Sequence, residues 1–125
     1  MQTPRLLLVD DDERLAALLG RYLHGHGLDV KTARDGPSGL ARALGEHWDL
    51  VILDVMLPGM DGYDVCKMIK KNKDNSLMKV VMLTSKDKTF DKIRGTMAGC
   101  DGYLTKPVDE LKLRAIIERH TVTKK

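Results

Sequence analysis

At 125 residues and 14.0 kDa, with 42% hydrophobic and 31% charged side chains, the chain has the size and composition of one globular domain with its own core. Apolar runs of only four or five residues exclude a transmembrane helix. The opening Met1-Gln2-Thr3-Pro4-Arg5 lacks signal-peptide character, so a cytoplasmic location with no membrane contact is expected. A net charge of only +3 with 4% aromatic residues predicts no direct nucleic-acid binding, and the lysines of the second half read as solvated helix faces.

The first strand is Leu6-Leu7-Leu8-Val9, running into Asp10-Asp11. Asp12 is then placed to cap a helix whose Leu15, Leu18, Leu19, Tyr22 and Leu23 form one apolar stripe. That helix ends near Gly25-His26-Gly27, where glycine can take a left-handed cap. His24 and His26 read as surface residues. A mixed strand over 28–33 precedes a second helix, which starts around Asp35-Gly36-Pro37 and buries Leu40, Ala43 and Leu44.

Trp48 reads as a packing residue before the third strand, Leu50-Val51-Ile52-Leu53, which runs into Asp54. A third helix carries Val65, Met68 and Ile69. The fourth strand, Val80-Val81-Met82-Leu83, runs into Thr84, and a fourth helix carries Phe90, Ile93 and Met97. Tyr103-Leu104-Thr105 leads into Lys106-Pro107, and the last helix carries Leu113, Ile116 and Ile117. Cys66 and Cys100, the only cysteines, fit no metal spacing and are expected to be free, largely buried thiols.

Alternating strands and helices predict an α/β fold with a parallel sheet. The runs at 6–9, 50–53 and 80–83 are apolar throughout, as befits central strands covered on both faces, whereas 28–33 and 102–105 read as edges. With right-handed crossovers this gives a flavodoxin-like, doubly wound five-stranded sheet, order 2-1-3-4-5, with five helices on both faces. Asp10, Asp11, Asp54, Thr84 and Lys106 would then gather at the carboxyl edge. Three carboxylates, a hydroxyl and an ammonium suit a divalent metal and a phosphoryl group.

The quoted residues carry a resemblance. Val9-Asp10-Asp11, the run from Leu53-Asp54-Val55-Met56-Leu57-Pro58 to Asp61-Gly62, Leu83-Thr84-Ser85 and Tyr103-Leu104-Thr105-Lys106-Pro107 resemble the receiver domain of two-component response regulators, including the stand-alone chemotaxis type. The resemblance spans residues 5 to about 119 of a single 1–125 domain. It implies a signalling phosphoprotein rather than an enzyme with an external substrate.

By that resemblance Asp54 is the phosphoacceptor. Asp11, Asp54 and the backbone carbonyl of Met56 ligate Mg²⁺, with Asp10 acting through water. Thr84, Ser85 and Lys106 bind the phosphoryl oxygens, and Pro107 is cis. Thr84 and Tyr103 form a switch that alters the face of the fourth helix, fifth strand and fifth helix. The implied partners are a histidine kinase or phosphotransfer protein and a downstream protein target, and no effector domain is expected after residue 125.

Two other functions share some of these features. A haloacid dehalogenase-type phosphatase also uses an Asp nucleophile with Mg²⁺, but it carries its general acid two residues later, where this chain has Met56. A flavin binder would need a phosphate loop where Asp10-Asp11-Asp12-Glu13 stands.

The halves also differ in composition. Residues 1–58 hold five arginines and one lysine, residues 59–125 three arginines and twelve lysines. The first half resembles receivers of winged-helix transcription regulators, the second those of chemotaxis or twitching motility. This raises the expectation of a chimera joined near 54–62, with a first and last helix that did not evolve together. Ordinary drift in surface composition is the alternative.

Overall fold

The structure, a computed structural model, describes residues 3–75, 78–85 and 98–121. Five parallel strands, β1 (Arg5–Val9), β2 (Asp29–Ala33), β3 (Leu50–Asp54), β4 (Lys79–Ser85) and β5 (Gly102–Lys106), form one sheet in the order β2-β1-β3-β4-β5. Four α-helices are described: α1 (Glu13–Gly25), α2 (Gly36–Gly45), α3 (Gly62–Lys71) and α4 (Glu110–Thr121). The last of these is the helix expected as the fifth. The helix expected around Phe90, Ile93 and Met97 lies outside the described residues, so five helices are not shown.

Alternation along the strands divides the core in two. Leu7, Val9, Val51, Leu53, Val80 and Met82 face α2 and α3, while Leu6, Leu8, Leu50, Ile52, Val81 and Leu83 face α1 and α4. Both faces are covered, which is why β1, β3 and β4 read as continuous apolar runs.

Each helix starts where the chain supplies a capping carboxylate. Asp12 accepts from Leu15 N–H at 3.1 Å, Asp35 from Ser38 N–H at 2.7 Å and Asp61 from Asp64 N–H at 3.0 Å. Gly27, with φ +82°, follows the end of α1 in the left-handed conformation. Trp48 is buried, donates its indole N–H to the Arg42 carbonyl at 2.9 Å, and carries the Arg5 guanidinium 4.4 Å over its ring.

Some expected core positions are corrected. Leu18, Leu44 and Met68 are exposed; Ala16 with Leu19 and Leu23, and Tyr63 with Cys66, take the burial instead. On α2 the buried face is Gly36, Gly39 and Ala43, because the helix lies too close to the sheet for larger side chains. Three strands also run further than their apolar runs. Asp54, Thr84 and Lys106 remain paired, with Asp54 opposite Leu83, Thr84 opposite Thr105 and Ser85 opposite Lys106. These three side chains therefore stand on the sheet rather than in the loops that follow it.

Candidate functional site at the carboxyl edge

Asp10 follows β1 with its N–H still bonded to the Ala33 carbonyl of β2 at 3.0 Å, which holds its side chain at the sheet's edge. Asp54 ends β3, locked by Val55 N–H to the Leu83 carbonyl at 2.9 Å. Both carboxylates are buried, and Asp11 beside them is exposed. One oxygen from each of Asp10, Asp11 and Asp54 lies within 4.8 Å of the others.

Lys106 reaches across from β5. Its Nζ stands 3.0 Å from Asp54 Oδ2, as a hydrogen bond, and 3.1 Å from Asp10 Oδ2, as an ion pair. The Lys106–Pro107 peptide bond is cis. The remaining oxygens are held by backbone: Asp12 N–H donates to Asp10 Oδ1 at 2.9 Å, and Met56 N–H to Asp54 Oδ1 at 3.0 Å. Thr84 is buried at the end of β4, with Ser85 half-buried after it.

Burial raises the pKa of Asp10 above the ordinary carboxylate value. The Asp12 N–H opposes the shift, nearby Asp54 adds to it, and Lys106 again opposes. Burial alone would lower Lys106, but pairing with Asp54 and Asp10 holds it above an ordinary lysine. The ammonium thus stays charged and partly neutralises two acids that would otherwise repel each other.

A group whose folded pKa is raised contributes stability below its unfolded pKa and loses it as pH rises through the folded value. Asp10→Asn should therefore stabilise the metal-free protein at neutral pH. The gain should shrink as the pH falls toward the ordinary carboxylate range. Urea denaturation of both proteins across that range checks it, and a gain that grows on acidification would contradict the assignment.

The donor set fits a hard divalent cation. Asp10 Oδ2 is buried and, among the described residues, receives no hydrogen bond, only the ion pair with Lys106. With oxygens of Asp11 and Asp54 beside it, the cluster offers the anionic oxygen ligands that Mg²⁺ takes together with water.

Asp10, Asp11, Asp54 and Lys106 are thus brought together as the sequence implied. Tyr103 stands on β5 opposite Met82 and packs against the core face of α2 and α3; burial raises its pKa, and the nearby Cys100 thiol adds to the shift. Cys66 is buried as expected, whereas Cys100 is only half-buried. Both thiols are free. Burial pushes Cys66 up to about 12, which leaves it a packing group.

At the opposite edge of the sheet, Lys70 Nζ binds Asp101 Oδ2 at 2.8 Å and the Met78 carbonyl at 2.6 Å. Among the described residues no helix is long and apolar enough to cross a membrane.

The response regulator receiver domain family matches residues 6–118. The alkaline phosphatase synthesis transcriptional regulatory protein PhoP of Bacillus subtilis is 41% identical over 122 residues, covering 94% of this chain and 50% of PhoP. Protein PilG of Pseudomonas aeruginosa is 37% identical over 116 residues, covering 93% of this chain and 86% of PilG. The structure of chemotaxis protein CheY4 of Vibrio cholerae superposes with a TM-score of 0.87 at 28% identity, over 95% of this chain and 99% of that one. The chain therefore spans about half the length of PhoP and most of PilG.

These matches correct two expectations. Single natural proteins match across both halves, so the expectation of a chimera is not borne out. Residues of α1 and α4, namely Leu19, Leu23, Leu113 and Ile117, also share one core cluster. The phosphatase reading likewise finds no support: the matches are to receivers, and Met56 stands where that chemistry needs an acid.

Proposed function

Because this chain belongs to the response regulator receiver domain family of two-component systems, we propose that Asp54 accepts a phosphoryl group from a histidine kinase or phosphotransfer protein. An oxygen of Asp54 attacks phosphorus, and the bond from phosphorus to the donor's nitrogen or oxygen breaks as the acyl phosphate forms. The chain thereby catalyses its own phosphorylation. The observation that carries this reading is Lys106 Nζ shared between Asp54 at 3.0 Å and Asp10 at 3.1 Å. An ammonium already in contact with the nucleophile need move little to meet the incoming phosphoryl oxygens.

Thr84 would donate its hydroxyl to a second phosphoryl oxygen, and Ser85 its backbone N–H. Asp11, Asp54 and the Met56 carbonyl would hold Mg²⁺, with Asp10 acting through water. Bound there, the cation offsets repulsion between an anionic donor and three acids. Movement of Thr84 toward the phosphoryl group would be transmitted to Tyr103 and the face of β5 and α4, where a downstream protein would dock. A cytoplasmic location follows from this reading.

The test is incubation with acetyl phosphate and Mg²⁺, read by intact mass. One added phosphoryl group that depends on Mg²⁺ supports the reading, and none in its presence overturns it. Asp11→Ala should bind Mg²⁺ at least about tenfold more weakly, since it removes a direct anionic ligand. Calorimetric titration measures this, and unchanged affinity would remove Asp11 from the ligand set.

A further inference from the structure

We infer that the N-terminus of α2, through Gly36 and Pro37, is a positioning element that holds the loop following Asp54 in the geometry of the Mg²⁺ site; this rests on the reading of that site given above. None of the acidic groups of the site belongs to α2. Yet the helix presses on both segments that deliver them.

On one side, Gly36 N–H donates to the Pro58 carbonyl at 3.1 Å. A Cβ at Gly36 would lie 2.6 Å from both the Cβ and the carbonyl oxygen of Met60. The contact is reciprocal. Gly59, with φ +84°, sits so close to Pro37 that a Cβ there would come within 2.9 Å of the ring's Cδ. On the other side, a Cβ at Gly39 would lie 2.6 Å from Cγ1 of Val9, the residue before Asp10.

A side-chain ligand can adjust by changing rotamer. A backbone carbonyl can move only when its loop moves. The proposed Met56 ligand is of the second kind, and its loop leaves the sheet at Asp54 and returns at Gly62, where Gly62 N–H binds the Val55 carbonyl at 2.9 Å. Between those points the α2 N-terminus is the surface against which the loop rests. Gly36 and Pro37 are positioning residues; they touch neither metal nor phosphoryl group.

The test compares Mg²⁺ affinity, by calorimetry and by amide NMR shifts, in the wild-type chain and in Gly36→Ala, Pro37→Ala and Gly45→Ala. Melting curves taken alongside establish that each variant is folded at the titration temperature. Gly36→Ala and Pro37→Ala should bind about tenfold more weakly, as groups behind metal ligands commonly do when lost. Their amide shifts should spread through residues 55–60. Gly45→Ala, on the same helix with nothing within 4 Å of the added carbon, should bind as wild type.

Should Gly36→Ala fail to fold, Pro37→Ala decides, since it removes ring atoms and adds no bulk at the contact. Wild-type affinity in the folded variants overturns the inference, as does an equal loss in Gly45→Ala. A wild-type chain that binds no Mg²⁺ overturns the reading of the site itself and this inference with it.

Discussion

Asp54→Asn protein treated with acetyl phosphate and Mg²⁺ should take up no phosphoryl group, while the wild type should be modified once. Asparagine keeps the size of the side chain and an oxygen to accept the Met56 N–H, which lies 3.0 Å from Asp54 Oδ1, so the fold is retained. It removes the anionic oxygen that Lys106 contacts and that is proposed to attack phosphorus. Loss of a nucleophile lowers the rate on the order of 10³-fold or more, so residual labelling should be undetectable by mass. Undiminished labelling of the variant would sink the assignment of Asp54.

The second large effect is structural. At Gly62, the first residue of α3, an added Cβ would overlap the carbonyl oxygen of Asp54 and lie 2.9 Å from Met82 Cε. The oxygen is backbone and cannot rotate away, so the helix or the end of β3 must shift. Gly62→Ala should cost about 3 kcal/mol, the upper part of the usual range for overpacking. For a domain of this size that lowers the melting temperature by on the order of 10 °C. The displaced atom belongs to the proposed phosphoacceptor, so labelling by acetyl phosphate should fall even where the variant is folded. A melting temperature within a degree or two of wild type would show that β3 and α3 are looser than the contact implies.

Both substitutions fall where the sequence was most informative. Continuous apolar runs at β1, β3 and β4 mark strands buried on both faces, and a carboxylate or hydroxyl that breaks such a run marks the carboxyl edge. Order and site were readable together for that reason. The helices were read less well. Leu18, Leu44 and Met68 fitted the apolar spacing yet are exposed, because periodicity gives the direction of a stripe but not its width. The buried face of α2 includes two glycines, and absence of a side chain gives no apolar signal. The arginine-to-lysine shift misled because exposed charge is loosely tied to the fold.

The placement of Lys106 on β5 has a dynamic consequence. Lys106 and Asp54 meet across 52 residues of chain, and among the described residues β5 is an edge strand, paired on one side only. Edge strands exchange their amide hydrogens through local opening at lower free energy than a strand between two neighbours. Each such opening withdraws the ammonium and leaves the carboxylates on β3 and beside β1 in place. On the proposed reading, competence to react would be a property of a sub-globally closed state, with a lifetime set by the docking of one strand. Hydrogen exchange should show the amides of Tyr103 and Leu104 less protected than those of Ile52 and Leu53. Any partner that clamps the outer edge of β5 would then raise the fraction of molecules able to accept a phosphoryl group without touching the acids.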